Sequence, residues 1–316
     1  MEAPLLSIIV ISFNTARLLD DCLSSIKNAK LRFAYEVIVV DNASCDESVD
    51  LVRARYPDVC LIANSENAMF AAANNQGARI SRGRLLLLLN SDTIVNRSGL
   101  ENLVRFMVEA PSRVVCVGPK VLNQDGSVQS TGFALPSIWE RCTAAFGLAK
   151  RLPQSVAARL LPIGTPGVVR GNRRVGWVSG CCMLVRRDVY ANMGGLCESL
   201  GFYGEEPEFG CRLQGAGFET WFVAAANIVH LGGGSSALPQ TPDIRSEAFV
   251  LRQWTTQSVL TVGYRRAVVM SFVFLLAMAM KRLLLADVPR RKLLSRSIRF
   301  ERLVIRNLWI SSNGRG

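Results

Sequence analysis

Between residues 6 and 95 the chain alternates short apolar runs with segments whose apolar residues recur at helical spacing. Leu6–Ser12 (LSIIVIS) is a β-branched run and reads as a buried strand. Asn14-Thr15 then offers a helix cap, and Leu18, Leu19, Cys22, Leu23 and Ile26 follow with three- and four-residue periodicity. Tyr35–Val40 is a second strand. It ends at the polar loop Asp41-Asn42-Ala43-Ser44, which leads into a helix over Ser48–Tyr56. Val59–Ala63 is a third strand, Phe70–Ser81 a helix rich in Ala and Asn, and Arg84–Leu89 a fourth strand that stops at Asn90-Ser91-Asp92. This βαβαβαβ order predicts a parallel sheet with right-handed crossovers. Ligands of such sheets sit beyond the carboxyl ends of the strands. Three of those ends carry polar clusters here: Ser12-Phe13-Asn14, Asp41-Asn42 and Asn90-Ser91-Asp92.

Farther on the pattern loosens. Leu100–Glu109 is helical, Val114–Val121 is a strand, and Gln124-Asp125-Gly126 is a turn. Residues 135–172 carry Pro, Gly and basic residues and read as a connection or acceptor-side loop. Val175–Val185 and Phe222–Val229 are strand-like. From residue 245 the character changes. Ala267–Met280 is a run without charge, flanked by Arg265-Arg266 and Lys281-Arg282. As a helix this run of roughly 14 residues would span about 21 Å, short of the ~30 Å core of a bilayer. Beyond it, Leu293, Leu294, Ile298, Leu303 and Val304 are interleaved with seven Arg and Lys residues, the pattern of a helix lying among lipid headgroups. An ordinary docking helix with a solvated basic face is the plainer alternative.

Charge sharpens this division. Residues 245–316 hold 14 Lys+Arg and 3 Asp+Glu, a net of +11. The remaining +1 of the chain's +12 belongs to residues 1–244. The expected organisation is therefore a body over residues 1–244, with a nucleotide-binding half (1–95) and an acceptor half (96–244), followed by a basic amphipathic tail over 245–316. Such a tail suits an anionic lipid surface. Its apolar run argues against a solvated nucleic-acid arm, so no nucleic-acid partner is expected. The nine cysteines lack metal or disulfide spacing and read as reduced thiols. The apolar start Leu5–Ile11 has no basic flank and runs into a turn, so it reads as a strand rather than a secretory leader.

Four constellations carry chemistry. Asp41-Asn42, closing a strand, suits the imide of a pyrimidine base or the hydroxyls of ribose, and equally a helix cap. Asp92 after a buried strand suits a divalent cation that also grips a diphosphate, or a plain turn. Glu205, Glu206 and Glu208 crowd three carboxylates into four positions, which raises at least one pKa as a general base near neutrality requires; a solvated acidic turn is the alternative. His230 is the only histidine and precedes Leu231-Gly232-Gly233-Gly234. It is either a satisfied core residue or a ligand pointing into a site that a backbone approaches closely. No G-x-G-x-x-G follows the first strand, which disfavours a dinucleotide-binding oxidoreductase.

The ordered set Ile8–Asn14, Val37–Ser44 with Asp46, Asn67–Gly77, Leu87–Thr93, Trp177–Arg187, Gly194–Arg212 and Val229–Ser235 resembles the family 2 glycosyltransferases, particularly a bacterial rhamnosyltransferase branch of cell-surface polysaccharide synthesis. The resemblance covers residues 5–240. It implies a GT-A fold, with a Rossmann-like, mostly parallel nucleotide-binding sheet, and inversion at the anomeric carbon. By the same resemblance Asp92 and His230 hold Mg2+ or Mn2+, Glu206 deprotonates the acceptor hydroxyl and Glu205 contacts the acceptor. Ser12, Asn14, Asp41, Asn42, Asn75 and Ser91 form the nucleotide site, while Trp177, Glu208 and Arg212 support the acceptor side. A nucleoside-diphosphate sugar donor, with dTDP-rhamnose first, and a lipid-linked saccharide acceptor are implied, at the cytoplasmic face of a bacterial membrane. UDP-hexose or galactofuranose donors are the alternatives, as is an inactive nucleotide-sugar-binding protein on this fold. Three positions depart from the family pattern: Asn90 for Asp, Met69 for Gly and Cys197 for Asp.

Overall fold

The computed structural model describes residues 3–137, 171–200, 204–232, 259–260, 262–284 and 302–306. By its contacts the chain divides into two compact units, Met1–Phe133 with Val169–Leu238 and Ala134–Val168 with Pro239–Gly316.

The first unit is built on one mixed sheet. β1 (Leu6–Ser12), β2 (Tyr35–Asp41), β3 (Cys60–Ala63) and β4 (Leu85–Asn90) alternate with α1 (Ala16–Ala29), α2 (Ser48–Arg55) and α3 (Met69–Ile80). β1 lies between β2 and β4 and is parallel to both, with β3 outside β2. The chain therefore turns to opposite sides of β1, and a crevice opens at the carboxyl ends where that happens. Both faces of this sheet half are covered. Accordingly β1 is buried along its whole length and Leu85–Leu89 are all buried, which is why the sequence shows continuous apolar runs rather than alternation. α3 packs tightly on the sheet through Gly77, where a Cβ would stand 2.5 Å from Ile9 Cγ2.

Beyond residues 6–95, for which parallel pairing is predicted, the sheet is mixed. After β5 (Thr93–Ile94) and α4 (Arg97–Glu109) come β6 (Val114–Leu122), β7 (Val128–Gln129) and β8 (Gly132–Phe133), then β9 (Arg173–Val175), β10 (Trp177–Val178), β11 (Cys182–Arg186), α5 (Arg187–Asn192), α6 (Glu205–Gly215) and β12 (Glu219–His230). β11 inserts antiparallel between β4 and β6, β12 runs parallel to β6, and β5 closes the edge antiparallel to β12. The segment expected as one strand over Val175–Val185 is three. β10 leaves the main sheet to pair with β8, and a turn at Ser179–Cys182, around Gly180, separates it from β11. The expected turn at residues 124–126 joins β6 to β7, with Gly126 at φ +82°. The connection expected over 135–172 lies almost wholly outside the described residues.

In the second unit, α7 (Tyr264–Leu284) extends the predicted apolar run by a turn at its C-terminal end. One side, through Ala267, packs with Val304 and the partly buried Val259 and Val262. Val269, Phe272, Leu276 and Met280, at helical spacing, are exposed. Among the described residues no helix is long and apolar enough to cross a membrane. Most of the predicted headgroup-level stretch lies outside the described residues; its 302–306 portion is helical.

Candidate active site

The polar strand ends meet as predicted, but their bonds are not the ones a capping motif would make. Thr15 stands at the N-cap of α1 without a capping bond from its side chain. Its Oγ1 instead lies 3.2 Å from Ser12 Oγ and 3.0 Å from Ser91 Oγ, joining the ends of β1 and β4 across the crevice. The first amide of α1, Ala16 N–H, donates to Asp46 Oδ2 at 2.9 Å, and Asp46 also takes the Ser48 amide and hydroxyl. These bonds hold the Asp46 carboxyl below its usual range despite the opposing cost of burial. Asn14, at φ +53°, accepts from Cys45 N and donates its own amide to Ser44 Oγ. Asp41 is buried and accepts from the Ser44 amide and hydroxyl at 2.9 and 2.6 Å. Asn42 donates to Met69 O and accepts from Asn64. Asp41 is thus fixed by a loop turn rather than spent as a helix cap.

Asn75 lies on α3. Its amide donates to Leu196 O and Glu198 Oε1 and accepts from Tyr190 Oη and Leu196 N. These bonds tie α3, through Asn75, to α5 and the segment after it.

Asp92 and His230 converge because β5 pairs with the end of β12, setting Thr93 opposite His230. Asp92 is 1% exposed, and its Oδ1 lies 3.1 Å from His230 Nε2. His230 Nδ1 lies 3.0 Å from Gln129 Oε1. Among the described residues no third His, Cys, Asp or Glu joins them in a metal-binding cluster. One carboxylate and one imidazole fit a cation such as Mg2+ or Mn2+ that fills its shell with diphosphate oxygens and water, and do not fit an all-protein cage.

The acidic run forms the first turn of α6, whose N-cap Gly204 adopts φ +105°. Glu208 and Arg212 form a two-pronged ion pair, Nε to Oε1 and Nη2 to Oε2, both at 2.6 Å. The same guanidinium donates to Met193 O and Gly195 O and lies over the Phe209 ring, so Arg212 pins the loop before α6. Glu205 is buried, and among the described residues its Oε1 has no hydrogen-bond partner. Burial, then the like charge of Glu206, push its carboxyl up to about 8. Glu206 is partly exposed. Burial raises its carboxyl, opposed by the Gly180 N–H, which donates to Oε1 at 3.0 Å. Both carboxyls are therefore more basic than an isolated one, as a proton acceptor requires.

Cys181 links the two groups of carboxylates: after burial, the charges of both Glu206 and Asp92 push its thiol up. Trp177 stacks on Phe133 with ring centroids 4.1 Å apart, on the small β8–β10 sheet. Of the departures from the family pattern, Met69 sits at φ +67°, a backbone that favours glycine, and Cys197 Sγ lies 3.1 Å from Ser199 Oγ. Thr15, Ser44, Gln129 and Gly180 were not among the predicted site residues. Gly180 had a signal, a glycine inside an apolar run. Gln129, in a two-residue strand after a turn, had none.

The sequence profile of Glycosyl transferase family 2 matches residues 7–194. O-antigen biosynthesis protein RfbC of Myxococcus xanthus is 30% identical over 220 residues, 66% of this chain but only 16% of that protein. An N-acetylglucosaminyl-diphospho-decaprenol L-rhamnosyltransferase of Mycobacterium tuberculosis is 26% identical over 239 residues, 71% of this chain and 75% of that protein. Among solved structures, GalNAc-T7 with UDP, GalNAc and Mn2+ aligns with TM-score 0.60 at 16% identity, covering 81% of this chain and 49% of that one. The mannosyltransferase PcManGT from Pyrobaculum calidifontis, with GDP-Man and Mn2+, aligns with TM-score 0.52 at 16% identity, covering 96% and 86%. The fold is GT-A.

Proposed function

The chain belongs to glycosyl transferase family 2, and from that premise we propose that it transfers a sugar, with inversion, from a nucleoside-diphosphate sugar to a hydroxyl of a lipid-linked or polysaccharide acceptor in cell-envelope glycan synthesis. The observation that carries this reading is the gathering of two functions at one sheet edge. The Asp92–His230 pair stands at the ends of β4 and β12, and Glu206 accepts from Gly180 N–H, next to Cys181, whose carbonyl takes the Asn90 N–H at the end of β4.

Glu206 accepts the proton of the acceptor hydroxyl. The oxygen then forms its bond to the anomeric carbon as the bond to the diphosphate oxygen breaks on the opposite face. Glu205 contacts the acceptor beside it. Ser12, Asn14, Asp41, Asn42 and Ser91 line the end of the sheet where the nucleoside would lie, with Asp41 and Asn42 positioned for base and ribose. Arg212 and Glu208 hold the preceding loop, and Trp177 stands on the acceptor side. A divalent cation, Mg2+ or Mn2+, held by Asp92 and His230, would neutralise charge on the departing diphosphate. The mycobacterial relative's name supports rhamnose as the sugar and dTDP-rhamnose as the first donor to try. The exposed stripe of α7 and the +11 of residues 245–316 support attachment to the anionic cytoplasmic face of a membrane.

The test is transfer and binding across dTDP-, UDP- and GDP-sugars with Mg2+ or Mn2+, in wild type and Glu206→Gln. The variant is expected to lose turnover and to bind the donor as before. Near-normal turnover by Glu206→Gln removes the base assignment, and a folded chain that binds no sugar nucleotide removes the transferase reading.

A further inference from the structure

We infer that Gln129 is a positioning residue that fixes the tautomer of His230 and thereby aims its Nε2 lone pair at the point faced by Asp92. The inference rests on the reading that Asp92 and His230 are the cation's protein ligands.

Gln129 ends β7, opposite Val121 across the β6–β7 hairpin. Its amide makes three contacts: Nε2 to Asn123 Oδ1 at 2.6 Å, Nε2 to the backbone oxygen of His230 at 2.9 Å, and Oε1 to His230 Nδ1 at 3.0 Å. The orientation of that amide follows from its partners. A backbone carbonyl only accepts, so the atom on His230 O is the amide nitrogen. The atom on His230 Nδ1 is then the amide oxygen, which also only accepts, so Nδ1 carries the hydrogen. Neutral His230 is thus the Nδ1–H form, with its lone pair on Nε2. That nitrogen lies 3.1 Å from Asp92 Oδ1. The unprotonated Nε2 and the Asp92 carboxylate oxygen are thus two acceptors within 3.1 Å of each other, a separation that two ligands of a single cation can have.

Two bonds from one side chain to one histidine fix its backbone and its ring together. An acceptor on the far nitrogen also raises the basicity of the near one. Nothing in the periodicity of the chain points to this residue, because the hairpin that carries it is set by the turn at Gly126, and its partner lies 101 positions away.

His230 is the only histidine, so the ring 15N–1H spectrum of the labelled, metal-free full chain at mildly alkaline pH reports one imidazole without assignment. Nδ1 is expected to carry the proton, with Nε2 at a pyridine-type shift. In Gln129→Leu this signature is expected to change to the Nε2–H form or a mixture. Affinity for Mn2+, read by electron paramagnetic resonance with saturating UDP or dTDP, is expected to fall about 10–100-fold. Gln129→Glu keeps an acceptor for Nδ1–H but loses both donated bonds. It is expected to keep the tautomer and to bind Mn2+ far better than the Leu variant. If Gln129 only braces the hairpin, the Glu variant, which also places a carboxylate against a carbonyl, does no better than Leu, and the inference falls. An Nε2–H signature in the wild type overturns it as well. A wild-type chain that binds no Mn2+ with either nucleotide would defeat the cation reading instead, while the metal-free spectrum still decides the tautomer.

Discussion

Gly180→Ala separates the needs of the fold from those of the chemistry. A Cβ at residue 180 would stand 2.8 Å from Glu206 Oε1 and 2.8 Å from Phe70 Cζ. Ordinary contact begins near 3.4 Å, so each group must retreat by about 0.6 Å (3.4 − 2.8). Both are the far ends of side chains, so the fold should yield at a cost of about 1 kcal/mol, the low end for overpacking. The reaction is less forgiving. A 1 Å misplacement of a reacting group costs about 100-fold, and 0.6 Å scales to roughly a 10–30-fold loss of kcat. The hydrogen bonds that tie Ser12, Thr15 and Ser91 do not involve residue 180, so donor affinity should be unchanged. Steady-state transfer kinetics, with calorimetric donor binding and a melt as controls, measure all three quantities. A folded Gly180→Ala protein with kcat within about twofold of wild type would refute the reasoning, because the group displaced by the methyl would then not be the one that takes the proton.

Three further perturbations follow from the same geometry. Burial and the charge of Glu206 raise Glu205 to about 8. The folded state therefore holds more protons than the unfolded one between the ordinary carboxyl range and pH 8, and stability falls as pH rises through that window. Glu205→Gln should flatten the dependence and raise Tm most on the alkaline side; a wild-type Tm that rises from pH 5 to pH 8, with no change of slope in the variant, would count against it. Met69 at φ +67° carries left-handed strain of about 1–2 kcal/mol, against a backbone-entropy cost of about 0.5–1 kcal/mol for glycine. Met69→Gly should thus be neutral or stabilising by up to about 1 kcal/mol in urea melts, and a clear loss of stability would show that the Met side chain contributes packing that outweighs the strain. Replacing Phe272 and Leu276, both exposed on α7, with Glu should abolish sedimentation with anionic vesicles and leave transfer to a soluble acceptor intact; retained sedimentation would take the membrane contact away from this stripe.

The first half of the sheet was legible because burial on both faces imposes unbroken apolar runs, and the polar residue that ends each run marks a carboxyl end. Leu85–Leu89 could hardly read otherwise, and Asn90-Ser91 announces where it stops. The acidic turn stood out in the sequence because three carboxylates seldom share one helical turn without a reason, and the structure buries Glu205 and Glu208 there rather than solvating them. The remaining features depend on contacts far apart in sequence. Asn75 looks like any polar residue on a helix, and only Tyr190 and Leu196 show that its amide is consumed by the fold. Thr15 looks like a helix cap, yet its hydroxyl turns to Ser91, and the first amide of α1, Ala16 N–H, finds its acceptor in Asp46, thirty positions along the chain.

Strand direction explains the largest omission. In a sheet taken as parallel, only carboxyl ends reach the ligand edge, so a residue that precedes a strand is discounted. β11 runs antiparallel to β4, with Cys182 opposite Leu89, and Asn90 N–H donates to Cys181 O. Its amino end, and the turn at Gly180 before it, therefore arrive at the edge where β1, β2 and β4 deliver their carboxyl ends. There the Gly180 amide meets the first turn of α6, and β12, parallel to β6, brings His230 to the Asp92 side. A glycine at this position serves two ends at once: it donates a backbone N–H to Glu206, and it leaves the space into which that carboxylate fits. The mixed sheet is thus what brings Glu206 and the Asp92–His230 pair, carried on different elements, to one sheet edge.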